Sequence, residues 1–167
     1  LVERKGKDRL LLTAPPRHGK SDLCSVYFPS WYLNQFPDDR VILCAYGDDF
    51  AMEWGRKVRD LVTTHSDKLR IGINQNSKAQ DRWDIDGHRG GMYCVGVGGA
   101  LTGVPSDLML IDDPHKNREE ANSAIYRDRV WNWWTSTART RLAPGAPVVI
   151  ILTPWHEDDI RGRLLAE

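Results

Sequence analysis

The sequence is short of cysteine, of net charge and of long apolar runs. Its three cysteines, Cys24, Cys44 and Cys94, are far apart and odd in number. No C-x-x-C pair occurs, so neither a zinc site nor a disulfide framework is indicated, and reduced thiols are the simple reading. Lys plus Arg total 23 and Asp plus Glu total 23, a formal net charge of zero. Bulk charge therefore leaves no nucleic-acid footprint, and any such contact is local or outside this chain. No apolar stretch approaches bilayer-spanning length and no secretory leader is evident, so no membrane partner is expected. What is present suits one globular domain with a real core: 167 residues, 41% hydrophobic and 28% charged.

Chemistry concentrates first near the start of the chain. Leu10, Leu11, Leu12 and Thr13 predict a short buried strand, about Leu10 to Ala14. The loop Ala14–Ser21, APPRHGKS, follows it. The template is a phosphate-binding loop, G-x4-G-K-[ST], with Ala14 standing where its first glycine would be. Gly19 lacks a Cβ, so backbone there can press close to a phosphate. The amides that open the next helix point at that phosphate, and the helix dipole adds positive character. The contact set is Pro16, Arg17, His18, Gly19, Lys20, Ser21 and Asp22. Lys20 is a cation for the β- and γ-phosphates, partly exposed in this reading so that its loss opens no core cavity. Ser21 is a Mg²⁺ ligand through its hydroxyl, and Arg17 is a second cation within reach. Gly-Lys-Ser alone is a common tripeptide; the strand before it and the helix-like run after it give it weight.

The rest of the chain supplies a frame. A helix is predicted from near Lys20 through Tyr27, kinked or ended by Pro29. The run Val41–Ala45 is a continuous apolar strand of the kind buried in parallel sheets. Ala51, Trp54, Val58, Leu61 and Val62 recur at helical spacing. Residues 66–80 are polar and ambiguous. Trp83–Ile85 alternates, Asp86–Gly87 signals a turn, and Met92–Val97 is a second hairpin strand or the start of a central one. Residues 119–141 predict one long tryptophan-rich helix packed on the sheet, closed by Arg139 and Arg141.

A second chemical stretch is Asp107–His115. Four apolar residues form a strand, and Asp112 and Asp113 stand at its carboxyl end, where open α/β sheets bind ligands. Asp112 suits a Mg²⁺ ligand. Asp113 suits the carboxylate that orients and deprotonates an attacking water. An Asp-Asp-Pro turn is the plain alternative. The last apolar run, Val148–Leu152, is expected between the loop strand and the acidic strand, with Thr153 at its tip between Lys20 and Asp113.

Five blocks in order, APPRHGKS (14–21), GGALTG (98–103), LIDDP (110–114), STARTRL (136–142) and TPWHEDDIRGRLL (153–165), resemble the ATPase domain of a tailed-phage terminase large subunit. The resemblance covers nearly the whole chain. It implies an α/β, RecA-like ASCE P-loop NTPase: a mainly parallel sheet flanked by helices, here with a β-hairpin insertion around 83–97. It implies a Mg²⁺-dependent ATPase, slow as an isolated domain, that drives double-stranded DNA into a procapsid in the host bacterial cytoplasm. The implied partners are that DNA, a portal protein, a small terminase subunit and further copies in a ring; the cofactors are ATP and Mg²⁺. The chain is expected to be a single-domain fragment, residues 1–167, without the upstream adenine-contacting segment and downstream nuclease domain that relatives carry. Many relatives have Asp-Glu where this chain has Asp112 and Asp113. Many also have Arg-Gly where it has Thr102 and Gly103, which turns the search for a trans-acting arginine to Arg139 and Arg141. A helicase-type ATPase and a non-catalytic nucleotide-binding module remain as alternatives.

Overall fold

The computed structural model describes residues 9–101 and 103–167. Its frame is a seven-stranded sheet in the order β1-β7-β6-β2-β5-β4-β3. The strands are β1 (Arg9–Thr13), β2 (Arg40–Ala45), β3 (Ile73–Lys78), β4 (Arg82–Ile85), β5 (Gly91–Gly96), β6 (Leu108–Asp112) and β7 (Val148–Leu152). From β1 to β5 every pairing is parallel; β4 and β3 add antiparallel strands at the far edge. This mixed α/β architecture is compatible with a RecA-like fold. Strand β7 lies between β1 and β6, as the sequence predicts.

Both sheet faces are covered, which explains the unbroken apolar runs of β2, β6 and β7. Successive side chains alternate between faces. Val41, Leu43, Leu108, Leu110, Val149 and Ile151 join one cluster, beneath α1 (Phe28–Gln35) and α2 (Asp48–Thr64). Ile42, Cys44, Met109, Ile111, Val148 and Ile150 join the other, beneath α5 (Ala124–Trp133) and α6 (Ile160–Ala166). At Gly55 a Cβ would sit 2.6 Å from Cys94 Sγ and from the Gln80 carbonyl oxygen, so only glycine lets α2 lie this close to β5. Among the described residues, no helix is long and apolar enough to cross a membrane.

Several sequence expectations change. The loop strand is an edge strand: Leu10 is exposed and Leu11 and Leu12 are half-buried, because among the described residues only β7 pairs with it. Pro29 neither ends nor breaks its helix. A π-helical stretch, Asp22–Tyr27, precedes α1 and places Pro29 in that helix's first turn, where its missing N–H costs little. The hairpin of residues 83–97 is no separate insertion, since β5 pairs with β4 on one side and with β2 on the other. The polar stretch 66–80 contains α3 (Ser66–Leu69) and edge strand β3. The long helix over 119–141 is broken. Ser123, extended at ψ 120, separates α4 (Arg118–Asn122) from α5, and a π-helical turn, Trp134–Ala138, and a 3₁₀ turn, Arg139–Arg141, finish the run.

Candidate functional site

The parallel strands β1, β7, β6 and β2 deliver four chain segments to their shared carboxyl edge. These are the loop 14–20 after β1, Thr153 after β7, Asp112 and Asp113 at the end of β6, and Tyr46 after β2. A cleft of about 380 Å³ opens there. Pro16, Arg17, Gly19, Lys20, Ser21 and Asp22 form its floor on the loop side, and Asp113 and Thr153 face them. His18 does not line it; it is exposed, and its Nδ1 hydrogen-bonds with the Pro16 carbonyl at 2.8 Å.

The loop is tightly curled. Arg17 and Gly19 both adopt left-handed backbone, φ 63° and 72°. The first is an uncommon conformation for arginine; the second is one glycine accepts freely. The helical run then opens with the Leu23 amide donating to the Gly19 carbonyl at 3.0 Å. The amides before Leu23 precede the ladder and are the groups that helix starts leave for caps or ligands.

Lys20 and Asp113 pair directly: Lys20 Nζ donates to Asp113 Oδ2. Lys20 is therefore buried, at 9% exposure, against the expectation of a partly exposed side chain. Thr153 does not stand between the two. Its backbone N–H donates to Asp113 Oδ1 at 2.9 Å, so it holds the carboxylate from the side. Asp113 itself has left-handed backbone, φ 44°, and its amide donates to the Ile151 carbonyl at 2.8 Å. β7 thereby aims the side chain out of the sheet into the cleft.

Asp112 lies one residue deeper and is fully buried. Ser21 Oγ donates to its Oδ1 at 3.1 Å and Ser25 Oγ to its Oδ2 at 2.8 Å. Burial pushes the Asp112 carboxyl above its usual range; the two serine hydrogen bonds pull it back, the Asp113 charge raises it and Lys20 lowers it. The donor chemistry fits a hard divalent cation, with a hydroxyl and a carboxylate oxygen side by side. Among the described residues no group of three His, Cys, Asp or Glu side chains could hold a metal. A cation held here would take its other ligands from phosphate and water, as Mg²⁺ commonly does.

Some residues were not singled out from sequence. Ser25 falls one helical turn after Ser21, a spacing that in hindsight marks a shared face. Tyr46, Phe50, Trp54 and Trp155 line the cleft as aromatic walls. Phe50 stacks on Tyr46 at 4.9 Å between centroids and meets Trp54 edge-on at 5.4 Å. His115 and Lys116 also line it; burial lowers the His115 pKa, and its Nε2 is sealed without a hydrogen-bond partner.

Arg139 and Arg141 are not brought to this cleft. The Arg141 carbonyl accepts from the Ser106 amide at 2.9 Å, beyond the amino end of β6, at the other end of the strands. Arg139 is exposed and pairs with Glu167 at 3.7 Å. Thr102 lies outside the described residues.

Fold and site together define an α/β protein with a polar, lysine- and carboxylate-bearing cleft at the carboxyl edge of a parallel sheet. Residues 11–165 match the family model for the terminase large subunit, T4likevirus-type, N-terminal, and the chain belongs to that family. This membership supports a role in phage DNA packaging. A search of curated proteins finds no match to the chain.

Proposed function

We propose that the chain is a P-loop ATPase domain in which Mg²⁺-dependent ATP hydrolysis powers entry of double-stranded DNA into a procapsid. The observation that carries this reading is the convergence, across more than ninety residues of sequence, of Lys20 on Asp113 and of Ser21 on Asp112. The loop 14–21 has the composition of a phosphate cradle, and the acidic pair lies where Mg²⁺ and an attacking water are needed.

In this reading the triphosphate lies along the loop amides, and its oxygens compete with Asp113 for Lys20. Ser21 and Asp112 would hold the Mg²⁺, which would supply neutralisation of charge on the phosphate oxygens. Asp113, relieved of Lys20 and still held by the Thr153 amide, accepts a proton from the attacking water. Arg17 supplies further positive charge at the mouth of the cleft. Thr153, joined to Asp113 by a hydrogen bond, carries the state of the γ-phosphate into the segment leading to α6. Family membership favours a portal, a small terminase subunit and a ring of like chains as partners, in the host bacterial cytoplasm. An arginine given in trans by a neighbouring subunit, Arg139 or Arg141, completes the site.

The test is phosphate release from ATP by the purified chain, with Mg²⁺ and with the metal chelated. Slow release that requires Mg²⁺ is expected. Nucleotide binding with no release under any condition would instead favour a non-catalytic assembly module.

A further inference from the structure

Two hydroxyls hold the buried carboxylate of Asp112, and only that of Ser21 belongs to the loop motif. Ser25 is wholly buried within the π-helical stretch Asp22–Tyr27, between the core residues Cys24 and Val26. A serine inside a helix usually turns its hydroxyl back to the carbonyl one turn earlier. Ser30 does this, donating to the Val26 carbonyl at 2.7 Å. Ser25 instead crosses to β6 and donates to Asp112 Oδ2 at 2.8 Å.

We propose that Ser25 is a positioning residue for a divalent cation: by fixing Asp112 Oδ2 it presents Asp112 Oδ1 and the Ser21 hydroxyl to a metal bound with a nucleoside polyphosphate. The inference rests on the nucleotide-binding reading above. With Oδ2 fixed, the carboxylate cannot turn about its last torsion, and Oδ1 stays in line to accept the Ser21 proton. The lone pairs of Ser21 Oγ are then left for the cation. Without Ser25, Oδ2 loses the one hydrogen bond it makes among the described residues, and the carboxylate is free to swing toward Ser21 or Lys20. Groups that hold a metal's ligands in this way commonly change metal affinity about 10–100-fold.

The experiment is a Mn²⁺ titration of the protein–ADP complex, followed by electron paramagnetic resonance, on the wild-type chain, Ser25→Ala and Ser25→Thr. ADP binding and thermal melting are measured alongside with the metal chelated. Ser25→Ala is expected to weaken Mn²⁺ binding about tenfold or more, with metal-free ADP binding unchanged; Ser25→Thr, which keeps the hydroxyl, is expected to restore affinity. If the threonine variant does not fold, the Ser25→Ala change is repeated in an Asp112→Asn background. There it should cause no further loss, because the group it positions is already gone. A Ser25→Ala protein that melts earlier yet binds Mn²⁺ like wild type overturns the inference, as does an undiminished loss in the Asp112→Asn background. A wild-type chain that fails to bind ADP both with metal and without it overturns the nucleotide reading as well, so the two failures are told apart.

Discussion

In the proposed reading Lys20 carries two duties, holding Asp113 and binding phosphate. It pairs with Asp113 at 7% side-chain exposure, and Asp113 at 26% is itself largely shielded. Lys20→Ala is therefore expected to abolish phosphate-dependent nucleotide binding or to lower turnover about 100-fold or more. It should also cost about 1–3 kcal/mol of stability, because Asp113 loses one of its two partners. Paired measurements of phosphate release and urea unfolding check both; unchanged turnover would remove Lys20 from the site. The two aspartates should separate. Asp112→Asn is expected chiefly to raise the Mg²⁺ concentration needed for half-maximal rate. Asp113→Asn is expected to lower turnover about 10²–10⁴-fold, the usual contribution of a general base, while nucleotide binding persists. Isothermal titration beside steady-state kinetics distinguishes them, and identical defects in the two variants would contradict the assigned roles.

Among the elements, α6 is tied to α5 by charge as well as by packing. Asp158 receives Arg163 at 2.8 Å and Arg127 at 3.1 Å, and Arg163 also reaches Asp128 at 2.8 Å. The hydrogen bonds from Arg163, then Arg127, hold the Asp158 carboxyl well below the usual carboxylate range. Its folded pKa is thus depressed, so its contribution to stability is complete above the ordinary value of about 3.9 and is lost as pH falls through the folded value. Asp158→Asn should lower the melting temperature by a constant amount at neutral pH, and that difference should shrink below about pH 4. Melting curves of both proteins from acid to neutral pH check this; a difference that grows in acid would contradict it. Asp158 and Arg163 follow Thr153 in the chain, so their pairs with Arg127 and Asp128 of α5 anchor the segment whose Thr153 amide holds Asp113.

At the scale of the molecule, the cleft lacks an arginine close to Lys20 other than Arg17 among the residues that line it. Arginines supplied between subunits contribute about 10³–10⁵ in rate to phosphoryl transfer. Arg141 lies at the opposite end of the strands from its own cleft and Arg139 pairs with Glu167, so in the proposed reading either would act on another subunit's nucleotide rather than on its own. Arg139→Ala or Arg141→Ala protein mixed with Lys20→Ala protein, under ring-forming conditions, is expected to regain activity that neither has alone. Rings that form yet stay inactive in both mixtures would move the role to Arg17 within its own loop.

The sequence by itself determined the apolar strands, the place of β7 between β1 and β6, and the two chemical stretches. Unbroken apolar runs at 41–45, 108–111 and 148–152, bounded by turn signals, suit strands buried on both faces, and loop residues after such strands gather at one sheet edge. It also placed Lys20, Ser21, Asp112 and Asp113 by spacing alone. Tertiary structure decided what spacing cannot express. β1 proved to be an edge strand because, among the described residues, it pairs with β7 alone, although its leucines resemble those of a central strand. Ser25 joined Asp112 only because the helix after the loop crosses β6 at that residue. Tyr46, Phe50 and Trp54 became a cleft wall because β2 lies beside β6, a neighbour 67 residues away at Ala45 and Asp112. Local sequence carries periodicity and turn chemistry; contacts between distant residues are set by the packing of whole layers, and the cleft is made of such contacts.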